Sequence, residues 1–129
     1  MHNFLFVCLG GALGSGARYL VGLWAENALG RGFPFGTLMV NTAGCFFLSF
    51  IMALFLSSQS LSPATRLFLT TGLMGGLTTY STFNYETLKL VEGGSTGTAL
   101  LYVAATLVAC ILCGLLGLFA GSRLASLVG

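Results

Sequence analysis

Charge is what this sequence has least of. Five basic and three acidic residues are spread over 129 positions, 6% of the chain, where an ordinary soluble domain carries roughly 25%. That scarcity excludes a water-soluble fold, and a net charge of +2 offers no surface to a nucleic acid. Proline is confined to Pro34 and Pro63, and the one histidine, His2, is terminal. No nucleophile stands with its base and no phosphate loop follows a strand, so nothing points to an enzyme. The start of the chain has neither a basic region before its apolar run nor an A-x-A cleavage site, and it is expected to be retained.

What is present is apolar: 56% of residues are hydrophobic. A bilayer crossing takes about 20 such residues, so the length allows four spans, short connections and no soluble domain. Punctuation places the spans at 4–29, 36–57, 63–91 and 96–127, in a single all-α transmembrane domain. The first ends before the turn-rich stretch from Gly30 to Pro34. The third follows a polar linker at 58–63, with Ser62 a helix N-cap and Pro63 the first helical residue. A last loop, 92–95, precedes the fourth.

Four spans put both termini on one side of the membrane. That side carries Arg66 and Arg123, and the opposite side carries Arg31 and Lys89. With no excess of positive charge on either side, the rule that orients most membrane proteins gives no answer. The balance suggests insertion in both orientations, after which two copies could pair antiparallel about a twofold axis in the membrane plane; the alternative reading is that four charges are too few to support any inference.

One segment breaks the apolar pattern. From Gly72 to Phe83 the chain packs three glycines and four threonine or serine hydroxyls into the third span, with a helix break expected at 75–79. Irregular backbone at membrane depth is tolerated only where it is buried in protein or lines a polar cavity. Freed carbonyls there suit a cation, and the helix that restarts offers N–H groups and hydroxyls to an anion. Small residues recur every fourth position at Gly10 and Gly14, Gly72 and Gly76, and Gly117 and Gly121, where helix backbones can approach closely. Arg18 shares the face of Gly11 and Gly14, either lining a polar space or snorkelling. Asn41 shares a face with Thr37, Gly44 and Cys45 and brings two N–H donors. Tyr80 and Phe83 share one face of the restarted helix, and Thr79, Thr82 and Glu86 form a polar stripe beside it. Amide donors, hydroxyls and ring edges suit a small, tightly hydrated anion, since none holds it so firmly that it cannot leave. Glu86 keeps cation transport through a carboxylate open as a competing reading.

Three blocks then resemble the signature sequences of the Fluc (CrcB) family of fluoride channels. They are Gly10, Gly11, Gly14, Arg18 and Tyr19; Gly36, Thr37, Leu38, Val40, Asn41 and Gly44; and Gly72, Gly75, Gly76 and Thr78 to Phe83 with Glu86. The resemblance implies a dual-topology antiparallel homodimer in a bacterial inner membrane, exporting fluoride passively through two pores. It implies that Asn41 hydrogen-bonds fluoride, that Phe83 turns a ring edge to it, and that Ser81, Thr82, Tyr102 and Thr106 lie along the ion path. It further implies that the backbone carbonyls of Gly75 and Thr78 would hold a structural Na⁺ at the dimer centre, with Arg18 and Glu86 expected in a vestibule. Two positions depart from the pattern: Tyr80 replaces a phenylalanine in the ion path, and Cys110 replaces a hydroxyl, leaving no ion-binding role assigned to it.

Cys110 and Cys113 have a metal-ligand spacing, but they lie in the apolar middle of the fourth span without a nearby histidine. They are read as small buried residues, like Cys8 and Cys45. Two other functions fit parts of the chain. A small dual-topology cation or multidrug transporter would need a membrane-embedded glutamate, and a non-transporting anchor subunit would need only the glycine motifs.

Overall fold

The computed structural model describes His2–Ser57 and Ser62–Val128. Among the described residues there is no strand. Helix α1 spans His2–Leu29 and α2 Phe35–Ser57; then come α3 (Pro63–Leu67), a π-helical stretch (Phe68–Met74), α4 (Gly75–Leu77), α5 (Tyr80–Glu92) and α6 (Thr96–Val128). Within α1, α2 and α6, His2–Leu29, Phe35–Phe55 and Thr96–Leu127 are each long and apolar enough to cross a membrane. At 1.5 Å per residue even α2 reaches about 34 Å, beyond the ~30 Å of a hydrocarbon core.

Local chemistry explains where the helices start and stop. Gly30, at φ +85°, ends α1 with its N–H on the Glu26 carbonyl at 3.2 Å, a left-handed cap that favours glycine. Of the linker expected at 58–63, only Ser62 and Pro63 are among the described residues. Ser62 caps α3 by accepting the Thr65 N–H at 3.2 Å, with Pro63 in the first turn. Gly94, at φ +78°, follows α5, and its N–H reaches the Val91 carbonyl at 3.0 Å.

The helix interruption is narrower than the sequence suggests. Only Thr78 (φ −80°, ψ 156°) and Thr79 (φ −154°, ψ 121°) leave the helical path, whereas Gly75 and Gly76, expected to belong to the break, are helical. Two of the glycines serve packing instead. A Cβ on Gly72 would stand 2.9 Å from the Gly10 Cα, and one on Gly76 would stand 2.5 Å from the Gly11 carbonyl oxygen. Thus the first two small-residue motifs face each other, bringing α1 against the π stretch and α4. The third motif serves a different pair. A Cβ on Gly117 would strike the Phe46 carbonyl, and one on Gly121 would lie 2.8 Å from the Ala53 Cβ, so α6 lies backbone-close along α2 in the most extensive helix interface.

Polarity is arranged for lipid. Large apolar side chains such as Phe4, Leu13, Leu101, Ile111 and Phe119 are exposed, while Thr37, Asn41, Thr79 and Thr106 are buried beside Val40, Phe83 and Tyr102. Hydrophobic driving force is weak between helices in lipid, so close packing and internal polar contacts hold the bundle.

Gly76→Ala is expected to destabilise the fold by about 1 to 3 kcal/mol, because its methyl group meets backbone that has no rotamer to yield. Gly97→Ala, with nothing within 4 Å of its added Cβ, should leave stability unchanged or slightly raised. Reversible unfolding in mixed micelles checks both.

Candidate functional site: a polar cleft at a helix interruption

The interruption is held open by one side chain from another helix. Asn41, on α2, donates from Nδ2 to the Thr79 carbonyl at 3.0 Å and accepts the Thr79 N–H on Oδ1 at 2.7 Å. The amide thus replaces the helical partners that an extended residue gives up, and both bonds are buried. One of the two Asn41 N–H groups is committed in this way; the other is left for a ligand. Thr79 also caps α5: its Oγ1 accepts the Thr82 N–H at 3.2 Å and donates to Thr82 Oγ1 at 3.0 Å. Ser81 Oγ lies 3.4 Å from the same hydroxyl, on the exposed side of the turn.

Those bonds release two carbonyls. In an unbroken helix the Thr79 N–H would bond the Gly75 carbonyl, and the Thr82 N–H would bond that of Thr78. Here the first donor is on Asn41 and the second on the Thr79 side chain. Gly75 and Thr78 are therefore left without their usual partners. Gly75 is also exposed, and a Cβ there would meet nothing nearer than the Thr70 carbonyl oxygen at 3.9 Å. Two such oxygens at one turn fit a hard cation such as Na⁺, which takes oxygen ligands.

Two clefts meet at Thr79. The first, about 310 Å³, is lined by Asn41, Tyr80, Phe83 and Thr106 together with Cys45 and Cys110, and no charged side chain faces it. Thr106 is 5% exposed and its Oγ1 has no hydrogen-bond partner, so a donor stands ready in the wall. Tyr80 is 78% exposed, with its ring centroid 5.8 Å from that of Phe83. The second cleft, about 400 Å³, is lined by Arg18, Glu26, Thr37, Thr82 and Glu86. Arg18 and Glu86 thus share one space, and Thr82 faces it rather than the Asn41 cleft.

Glu86 ties three helices together. Its Oε1 accepts from Thr37 on α2 at 2.9 Å and its Oε2 from the Tyr102 hydroxyl on α6 at 2.7 Å. Tyr102 is fully buried behind Phe83, with ring centroids 5.1 Å apart, and its other neighbour is Phe33 at 5.4 Å. Glu26 pairs at the surface with Arg31 at 3.3 Å.

Sequence reasoning placed Thr37 and Cys45 on the face of Asn41 and Thr79 in a polar stripe, but gave none of them a site role. Thr37 and Cys45 flank Asn41 at four-residue spacing, the signal that put them on its face. For Thr79, the signal was a capping hydroxyl three residues before Thr82 at the start of a helix.

Apolar helices turned outward, polar residues turned inward and a charge-free cleft at an interrupted helix define a small helical membrane protein with an internal polar site. The chain belongs to the CrcB-like family. The family model described as "CrcB-like protein, Camphor Resistance (CrcB)" matches residues 5–118. Curated relatives include proteins named fluoride-specific ion channel FluC. That of Anaeromyxobacter sp. (strain K) is 57% identical over 111 residues, covering 86% of this chain and 88% of its own. That of Acidobacterium capsulatum is 45% identical over 122 residues, covering 95% and 98%. One from Thermus thermophilus is 47% identical over 130 residues, covering 100% and 98%.

Replacing Asn41 by leucine strands the buried N–H and C=O of Thr79, each at about 1 to 3 kcal/mol, and is expected to cost about 2 to 6 kcal/mol. Thr106→Val removes a hydroxyl that bonds nothing, and should shift stability by less than about 0.5 kcal/mol. Unfolding titrations of the two variants, side by side, test the contrast.

Proposed function

We propose that the protein is a fluoride-selective channel that lets the ion leave a bacterial cell passively across the inner membrane. The observation that carries the reading is the uncharged cleft of Asn41, Thr106 and the Phe83 and Tyr80 rings. Fluoride holds its water tightly, and leaving water requires replacement donors. The free Asn41 N–H, the unpartnered Thr106 hydroxyl and the positive ring edges are weak donors that can be exchanged one for the next. No lysine or arginine faces this cleft, so nothing in its wall traps the anion. Tyr80 adds a phenol where the family pattern has a bare ring, a further donor at the mouth. The relatives' shared name for a fluoride-specific channel agrees with this chemistry.

The rest of the proposed path runs through the second cleft. Arg18 draws anions into the second cleft, and Glu86, held by Thr37 and Tyr102, orients the hydroxyls on which the ion next depends. Ser81, Thr82 and Tyr102 then complete a hydroxyl track past the interruption. In this reading the stretch from Pro63 to Glu92 is the fourth membrane crossing. Two copies pair antiparallel, so that the exposed Gly75 and Tyr80 of each chain are covered by the other. The released carbonyls of Gly75 and Thr78 would hold Na⁺ at the dimer centre, and the ion would supply the positive charge that offsets the repulsion between those carbonyl dipoles. The balanced charges, Arg66 and Arg123 against Arg31 and Lys89, support insertion in both orientations.

Purified protein in liposomes is expected to release fluoride, with chloride unable to replace it, and Phe83→Ile is expected to abolish that release while the protein stays folded. Flux of a drug against protons, or no flux, would overturn the channel reading. A second measurement addresses the assembly. Exchanging Na⁺ for a large organic cation, or making Gly75→Ala, should weaken the dimer in cross-linking assays while the monomer's helix content holds. Termini found on one side only would refute the antiparallel pairing.

A further inference from the structure

Two thiols stand in the wall of the Asn41 cleft, and the transport reading uses neither. Cys45 on α2 and Cys110 on α6 both line it, beside Phe83 and Thr106. The helices are backbone-close here: a Cβ on Gly114, one turn beyond Cys110, would stand 3.5 Å from Ser49 Oγ and 3.9 Å from the Cys45 carbonyl oxygen. In that register the two side chains share the wall of one cleft, one from each helix. Neither forms a disulfide. Among the described residues no three of His, Cys, Asp or Glu are grouped to hold a metal, so a four-coordinate zinc site is not built here. Two sulfurs alone suit a different ion: a soft monovalent cation that is content with two-coordinate thiolate binding.

We propose that Cys45 and Cys110 form a binding site for a soft monovalent cation, copper(I) or silver(I), and that its occupation closes the adjoining cleft. Binding is plain ligand exchange. Each thiol gives its proton to water, two S–H bonds are replaced by two sulfur–metal bonds, and no oxidation state changes. The resulting bis-thiolate unit carries one negative charge, and it occupies space beside Asn41 and Thr106. Both its charge and its bulk oppose an anion in the cleft. The blocking half of the proposal rests on the fluoride-channel reading, whereas the metal site itself does not.

The test uses the full-length protein carrying Cys8→Ala and Cys113→Ala, so that Cys45 and Cys110 are its only thiols. It is titrated with silver nitrate in chloride-free buffer while thiolate-to-metal absorption and proton release are followed. Saturation is expected at one silver ion per chain with two protons released. Adding Cys45→Ser or Cys110→Ser should lower the affinity by roughly 10- to 100-fold. In liposomes of phosphatidylcholine and phosphatidylglycerol, silver should stop fluoride efflux in the two-thiol protein and spare each single-thiol variant, judged against that variant's own metal-free flux. Two silver ions per chain, or an affinity indifferent to losing one thiol, would overturn the site. One bound silver ion with undiminished flux would overturn the block. Protein with no fluoride flux before silver is added would refute the channel reading, and the titration alone would then decide the metal site.

Discussion

The bond between the Asn41 amide and the Thr79 backbone is the constraint on which the rest of this structure depends. A residue that leaves a helix inside an apolar bundle strands an N–H and a C=O, and each costs several kcal/mol in hydrocarbon unless it is met. Asn41 meets both at once. By fixing Thr79 in extended geometry it lets the threonine hydroxyl start α5, sets the direction of Phe83 and Tyr80, and deprives Gly75 and Thr78 of their usual donors. The cleft, the released carbonyls and the new helix start thus share one cause.

Around that point the glycines decide how near the helices come. Gly10, Gly72 and Gly76 bring α1 onto the segment that carries the interruption, and Gly117 and Gly121 bring α6 onto α2. Close approach places Tyr102 and Thr106 of α6 near Asn41 and Phe83, and it sets Cys110 beside Cys45. Glu86 then bridges α5 to α2 and α6 through two short hydrogen bonds. In a membrane such contacts replace the hydrophobic effect as the force between helices.

Several features were legible in the sequence because they are local. The Ser62 and Pro63 helix start, the glycine stop after Leu29 and the face shared by Tyr80 and Phe83 need only nearest neighbours and helical period. The glycine run at Gly72 to Gly76 misled for an equally physical reason. Glycine frees the backbone and also permits close approach, and the sequence does not say which use a given glycine has. Here Gly72 and Gly76 serve approach, and the interruption falls two residues later, where Asn41 can reach. The Asn41 amide was read as two free donors because nothing near it in sequence shows that one is spent on a residue 38 positions away.

What the sequence determined by itself was class and setting: too little charge for a surface in water, apolar runs long enough to cross a bilayer, and a polar segment that has to be enclosed. Scarcity, length and spacing are properties of the chain and do not depend on what it folds against. Tertiary structure alone decided that Asn41 binds Thr79, that the first two glycine motifs face each other, that Arg18 and Glu86 share a cleft separate from that of Phe83, and that Cys45 and Cys110 line one cleft. These are contacts between segments distant in sequence. Their energies depend on distances of a few ångströms between helices, which only the packed bundle fixes.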